Sequence, residues 1–214
     1  MNNHLIRCSS LSKIMGTPKK KGETLTQTAK TYIRELVKCE IFDYKISIES
    51  KYLTKGIKCE DDSIELYNEV FFTDYEKNST RLFNNYIQGE CDINAPNKII
   101  DIKTSWSKAT FPAIEQEAKE AVKKAGYEWQ LRGYMMLYDK PFSEIAYCLV
   151  DTPDELLEYE NNYTLHHVDD IEPQLRVTKI GFERCHEKEE LIKTKVIEAR
   201  KYATWYEQKI INKY

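Results

Sequence analysis

Asp92, Asp101 and Lys103 combine residue types and spacing that suit hydrolysis at a divalent cation. Residues 98–104 read Lys-Ile-Ile-Asp-Ile-Lys-Thr. In a strand, side chains alternate, so Ile99, Asp101 and Lys103 share one face while Ile100 and Ile102 share the other. Asn94-Ala95-Pro96-Asn97 is a turn signal, and a hairpin folded there carries Asp92 back beside Asp101. Two carboxylates so placed repel unless something cationic lies between them. Mg²⁺ is the natural occupant, with Mn²⁺ as its substitute, since it is oxygen-seeking and held by one or two carboxylates plus waters and a substrate phosphate. The Ile102 backbone carbonyl supplies a further oxygen. Lys103 on the same face can orient and activate an attacking water and offset charge on a pentavalent phosphate, which is the chemistry of phosphodiester hydrolysis.

An isolated Asp-x-Lys is most often a solvated strand face with an ordinary ion pair, so the residues on either side decide the reading. Glu60 precedes the hairpin on an expected helix, four residues after Gly56, and is either a supporting or metal-bridging carboxylate or a surface residue of the polar run Cys59-Glu60-Asp61-Asp62. Gln130 and Tyr134 follow it, one helical turn apart. Gln130 can hold the water or a metal-bound group, and Tyr134 can meet a phosphate or a base; the plainer arrangement has Tyr134 in the core and Gln130 exposed.

The elements that must position these groups mix helix and strand. Short and longer helices are expected over residues 9–16 and 24–37, and a third over 56–71, where Ile57, Ile64, Tyr67 and Phe71 recur at helical spacing. Strand character runs from 81 to 104 around the turn. Helices fit 113–124 and 127–138, a strand 144–150, a short helix after the capping box Thr152-Pro153-Asp154-Glu155, a strand 174–185, and a long helix 187–210. The lysine run Lys19-Lys20-Lys21 reads as a solvated loop, with a phosphate-contacting loop as its alternative.

A chain of 214 residues with 41% hydrophobic and 31% charged residues has the composition of one soluble domain over residues 1–214, and no apolar run long enough to span a bilayer interrupts it. The N-terminus, including Asn2 and His4, lacks a secretory pattern, so a cytoplasmic location is expected. Six scattered cysteines suggest free thiols rather than disulfides or zinc. The net charge of −3 argues against a broadly basic coating protein but allows a local basic groove. His166-His167 reads as a loop pair, and Trp106, just past the catalytic strand, is the tryptophan best placed to touch DNA.

Taken in order, four blocks resemble the PD-(D/E)xK nuclease superfamily, and most closely its bacteriophage lambda exonuclease type. Residues 6–15 look like the N-terminal phosphate-binding segment, residues 55–62 like the Gly-x-x-x-Glu helix, and residues 89–103 like the Asp…(Asp/Glu)-x-Lys core. Gln130-x-x-x-Tyr134-Met135 matches the glutamine motif of that branch. The blocks span about residues 6 to 138, and the last 70 or so residues carry no matching motif. The resemblance implies an α/β (α+β) restriction-endonuclease-like core, a central mixed β-sheet flanked by α-helices. It implies a Mg²⁺-dependent exonuclease acting 5′ to 3′ on double-stranded DNA ends, with a single-strand annealing protein as partner and a toroidal homotrimer as assembly, in a phage-infected or bacterial cell.

In that reading Asp92, Asp101, the Ile102 carbonyl and Glu60 hold metal, Lys103 activates water and Gln130 positions the water or Lys103. Arg7, Ser9, Lys13, Tyr134 and Trp106 contact phosphate or DNA. Two departures stand out: Asp101 replaces the glutamate of the lambda type, and no arginine stands at the extra phosphate-binding position before Ser9. With only Cys148 and Cys185 after the glutamine motif, an iron–sulfur cluster of the helicase- or CRISPR-associated kind is not expected. An endonuclease or structure-specific nuclease of the same superfamily, and a non-catalytic DNA-binding or assembly module of the same fold, are the alternatives.

Overall fold

The computed structural model describes residues 5–47 and 49–213; Asn2 and His4 lie outside them. A four-stranded sheet of order β4-β5-β6-β7 is formed by Ile93–Asn94, Lys98–Thr104, Phe142–Cys148 and Val177–Glu183, with β5 and β6 parallel at its centre and antiparallel strands outside them. A smaller sheet of order β1-β3-β2 joins Ile6–Arg7, Ile87–Gly89 and Leu82–Phe83. The mixed sheet with helices on its faces matches the α/β architecture expected above.

Alternation along β5 decides what each face does. Ile100 and Ile102 pack with Ala146 and Cys148 of β6 against α4 (Glu60–Phe71), which contributes Ile64, Leu66 and Tyr67. Ile99 joins a second core with Tyr134 and Tyr138 of α6 (Tyr127–Tyr138). Each fully buried aliphatic side chain of this kind is worth roughly 1.5–3 kcal/mol. Parallel strands need a crossover, and α5 (Glu115–Ala125) with α6 supplies it between β5 and β6. Asp101 and Lys103 consequently point toward the α6 side. Gly126 separates the two helices at φ +73, and a Cβ there would meet Ser12 Cβ at 2.5 Å, so glycine is required twice over.

The segment that held no recognisable motif builds the rest of the body. The long α7 (His186–Ile211) turns Ile192, Val196, Ala199 and Ala203 inward against Ala29, Tyr32, Ile33 and Val37 on α2 (Gln27–Ile41). Thr26 caps α2 by accepting a hydrogen bond from the Ala29 amide at 3.1 Å. α1 (Leu11–Ile14) is a short turn following a 3-10 turn at Cys8–Ser10.

Boundaries differ from the periodicity in instructive places. The expected helix over 56–71 is two, α3 (Lys51–Lys58) and α4, broken at Cys59, whose backbone (φ −105, ψ 17) ends one and begins the other. The strand region 81–104 is four short or medium strands with intervening turns, and the capping box after Thr152 opens only a 3-10 turn, Asp154–Leu156. All six cysteines are free thiols. Among the described residues no helix is long and apolar enough to cross a membrane.

Candidate active site

Continuing the register Ile93↔Ile100 by one residue sets Asp92 opposite Asp101, as the hairpin required. The Ile102 amide donates to Asp92 Oδ2 at 2.6 Å. A strand residue projects its N–H and C=O to the same edge, so the Ile102 carbonyl also faces Asp92. Asp101 is 1% exposed and held from two directions: Gln130 Nε2 donates to Oδ1 at 2.8 Å, and Lys103 Nζ lies 2.6 Å from Oδ2. The Lys103 ammonium also sits 4.9 Å from the centroid of the Tyr127 ring.

Electrostatics follow from this crowding. Burial, and then the charge of Asp101, push the Asp92 carboxyl up to about 7 against the pull of Lys103 and the Ile102 amide. Burial pulls the Lys103 ammonium down, but Asp101 and Asp92 together outweigh it and raise it above the ordinary lysine value. A carboxyl as costly to ionise as that of Asp92, set beside a second carboxylate, is suited to a cation. The donors on offer, two carboxylates and a backbone carbonyl, are the hard oxygens that Mg²⁺ prefers.

The small sheet brings the N-terminal block to the same place. β1 pairs in parallel with β3, Arg7 opposite Gln88, so the chain leaving β1 runs into the Cys8–Ser10 turn while the chain leaving β3 runs toward Asp92. Two glycines permit that closeness. A Cβ on Gly133 of α6 would stand 2.7 Å from Leu11 and 2.8 Å from Cys8 Sγ, and one on Gly89 would stand 2.7 Å from Tyr134. Arg7, Ser9 and Lys13 are exposed, with Lys13 Nζ 4.7 Å above the Tyr32 ring.

Other expected members are placed differently. Gln130 and Tyr134 do share a helical face, but both are buried, and the Tyr134 hydroxyl accepts from Gln130 at 3.2 Å. Tyr134 therefore supports Gln130 from the core and does not present its ring to a phosphate or base. Gln130 spends its amide on Asp101 and Tyr134 rather than on Lys103. Glu60 opens α4, on the other face of the sheet, and pairs with Lys77 at 3.1 Å; its charge still raises the Asp92 carboxyl. Among the described residues no three His, Cys, Asp or Glu side chains gather as a metal cage.

Trp106 is partly exposed and unusually well anchored. Its carbonyl accepts from Lys55 Nζ at 3.1 Å and Thr152 Oγ1 at 3.1 Å, with His166 Nδ1 at 3.2 Å, and its ring meets Tyr52 and His166 edge-on. His166 and His167 both lie in a loop, as their sequence suggests, with His166 buried and His167 exposed. Lys55, 1% exposed, also donates to the Val150 carbonyl at 2.8 Å and ties α3 to the segments leaving β5 and β6. Burial brings its ammonium down to about 8. Sequence patterning missed this lysine because lysine is among the residues least often buried, and no local signal marks it.

No protein-family model matches the chain, and no curated protein does. Among solved structures, it is similar to a phage-related exonuclease from Haemophilus somnus 129PT, with 36% identity and a TM-score of 0.90 over 98% of this chain and 96% of that one. It also shares its fold with the alkaline exonuclease LHK-Exo from Laribacter hongkongensis, at 11% identity and a TM-score of 0.66, covering 98% and 92% of the two chains. The structure of LHK-Exo in complex with dAMP gives 12% identity and a TM-score of 0.63, covering 98% and 95%.

Proposed function

Because the chain belongs to the phage-related exonucleases of the PD-(D/E)xK nuclease superfamily, we propose that it hydrolyses double-stranded DNA ends from 5′ to 3′ with Mg²⁺, or Mn²⁺ in its place. The observation that carries this reading is Asp101, buried, gripped by Gln130 and Lys103, and set opposite Asp92. A buried carboxylate held so rigidly beside a second one is costly to the fold and useful to a cation-assisted reaction.

In this proposal Asp92, Asp101 and the Ile102 carbonyl hold the ion, and Glu60 acts at longer range through water. An ion held by these residues would supply charge withdrawal from the scissile phosphate and support for the leaving oxygen. Gln130 keeps the Asp101 carboxylate in one orientation, and Tyr134 keeps Gln130 in place. Lys103 orients the attacking water and offsets charge gathering on the phosphate. The exposed Arg7, Ser9 and Lys13 contact backbone phosphates beside the site, and Trp106 meets the DNA past the end of β5. The product, a 3′ single strand, suits a single-strand annealing protein in phage-type recombination, and a ring of three copies would keep the enzyme on its substrate.

Linear duplex labelled at either the 5′ or the 3′ end, digested with and without Mg²⁺ beside closed circular DNA, tests the proposal. Release of the 5′ label first, only with the ion and only from linear DNA, is the expected outcome. Closed circles nicked as fast as linear duplex shortens would replace it with an endonuclease.

A further inference from the structure

Lys103 lies against one of the two oxygens that Asp101 could offer a cation. Gln130 takes Asp101 Oδ1, and the Lys103 ammonium lies 2.6 Å from Oδ2, an atom that is itself buried. Two cations cannot share one carboxylate oxygen at contact distance without strong repulsion. A divalent ion therefore reaches Asp101 Oδ2 only if the ammonium moves, and the flexible lysine stem allows it to move.

What surrounds the lysine limits where it can go. The Tyr127 ring already lies 4.9 Å from Nζ. Tyr147 stands directly across from Lys103 in the β5–β6 register, so the two side chains leave the same face with Cβ atoms about 5 Å apart. Tyr147 is 7% exposed, its ring belongs to the core with Val122, Leu131 and Leu149, and its hydroxyl is buried without a hydrogen-bond partner among the described residues. A buried hydroxyl left unbonded is a cost that phenylalanine would not carry, so its presence calls for a use. A phenolic oxygen accepts hydrogen bonds, and an ammonium has three to donate.

We propose that Tyr147 is a positioning residue for Lys103: its hydroxyl, together with the Tyr127 ring, receives the Lys103 ammonium when a divalent cation takes Asp101 Oδ2. The lysine then has two stations. At the first it neutralises Asp101 in the metal-free protein; at the second it is held away from the ion yet still on the face where the phosphate is attacked. This inference rests on the site assignment proposed above.

Tyr147→Phe, Lys103→Met and the double variant test it. Each is measured by calorimetric titration with Mn²⁺ alone, by thermal unfolding without metal, and, for Tyr147→Phe and Lys103→Met, by kcat and KM on end-labelled duplex. Loss of one hydrogen bond to a charged group predicts Mn²⁺ binding and kcat each about tenfold weaker in Tyr147→Phe, with KM for DNA little changed. Metal-free Tm should stay level or rise, because an unbonded hydroxyl has been removed. Lys103→Met should bind Mn²⁺ more tightly than wild type, and adding Tyr147→Phe to it should change nothing further.

Mn²⁺ affinity and kcat of Tyr147→Phe within about twofold of wild type would overturn the inference. So would a lowered metal-free Tm with unchanged Mn²⁺ affinity, the mark of a hydroxyl satisfied by an internal water. If Lys103→Met leaves both Mn²⁺ affinity and DNA hydrolysis unaltered, the site assignment itself fails, a result distinct from failure of Tyr147 alone.

Discussion

Gln130→Met isolates what the glutamine does for Asp101. Methionine keeps the length and lack of branching but has no amide to donate, so Asp101 Oδ1 loses the 2.8 Å bond and Tyr134 the 3.2 Å one. A hydrogen bond to a charged group is worth about 1.5–3 kcal/mol. At about 1.4 kcal/mol per decade, kcat/KM for duplex digestion should fall by roughly 10- to 150-fold if the orientation of Asp101 matters to the reaction. The same loss should lower Tm by roughly 3–12 °C, given about 2–4 °C per kcal/mol for a chain of this size. Mn²⁺ affinity, titrated without DNA, should fall as well, because the amide acts on a carboxylate that holds the ion in the proposed site. The reasoning is refuted if Tm drops as stated while kcat/KM and Mn²⁺ affinity both stay within about threefold of wild type, for Gln130 would then serve the fold alone.

Two further substitutions probe the scaffold. Lys55 has its proton affinity lowered in the folded chain, so between pH 8 and the ordinary lysine value of 10.5 the unfolded chain binds more protons, and stability should climb with pH across that window. Urea unfolding should show a shallower climb in Lys55→Met, and parallel slopes would contradict a buried, reluctant ammonium. Gly133→Ala forces a Cβ to within 2.7 Å of Leu11 and 2.8 Å of Cys8; overpacking there should cost about 1–3 kcal/mol in urea unfolding, whereas a neutral effect would mean that α1 and the Cys8–Ser10 turn yield freely.

The hairpin was legible because strand alternation and a turn signal are local, and together they determine which residues of residues 89–104 share a face. The placement of Gln130 and Tyr134 on one helical face was equally legible, but not what that face meets. The helix lies over β5, so both side chains are buried against Asp101, which only tertiary packing decides. Chain order groups Glu60 with the site; in the fold it opens α4, which covers the face of β5 that carries Ile100 and Ile102, and its charge acts on Asp92. The break at Cys59 was invisible because apolar residues keep helical spacing across it. Lys55 and Tyr147 gave no signal at all: one is a buried cation held by carbonyls of two distant segments, the other an ordinary-looking strand tyrosine whose partner is known only from the register of β5 on β6.

The central claim is that Asp101 and Lys103 carry a cation-assisted cut at DNA ends, and the most direct measurement compares wild type with Asp101→Asn and Lys103→Ala on end-labelled linear duplex with Mg²⁺. Each variant is first checked by thermal unfolding. A fall in rate of at least about a hundredfold in both, with the fold intact, is the predicted result. Wild-type digestion by either variant would contradict the account.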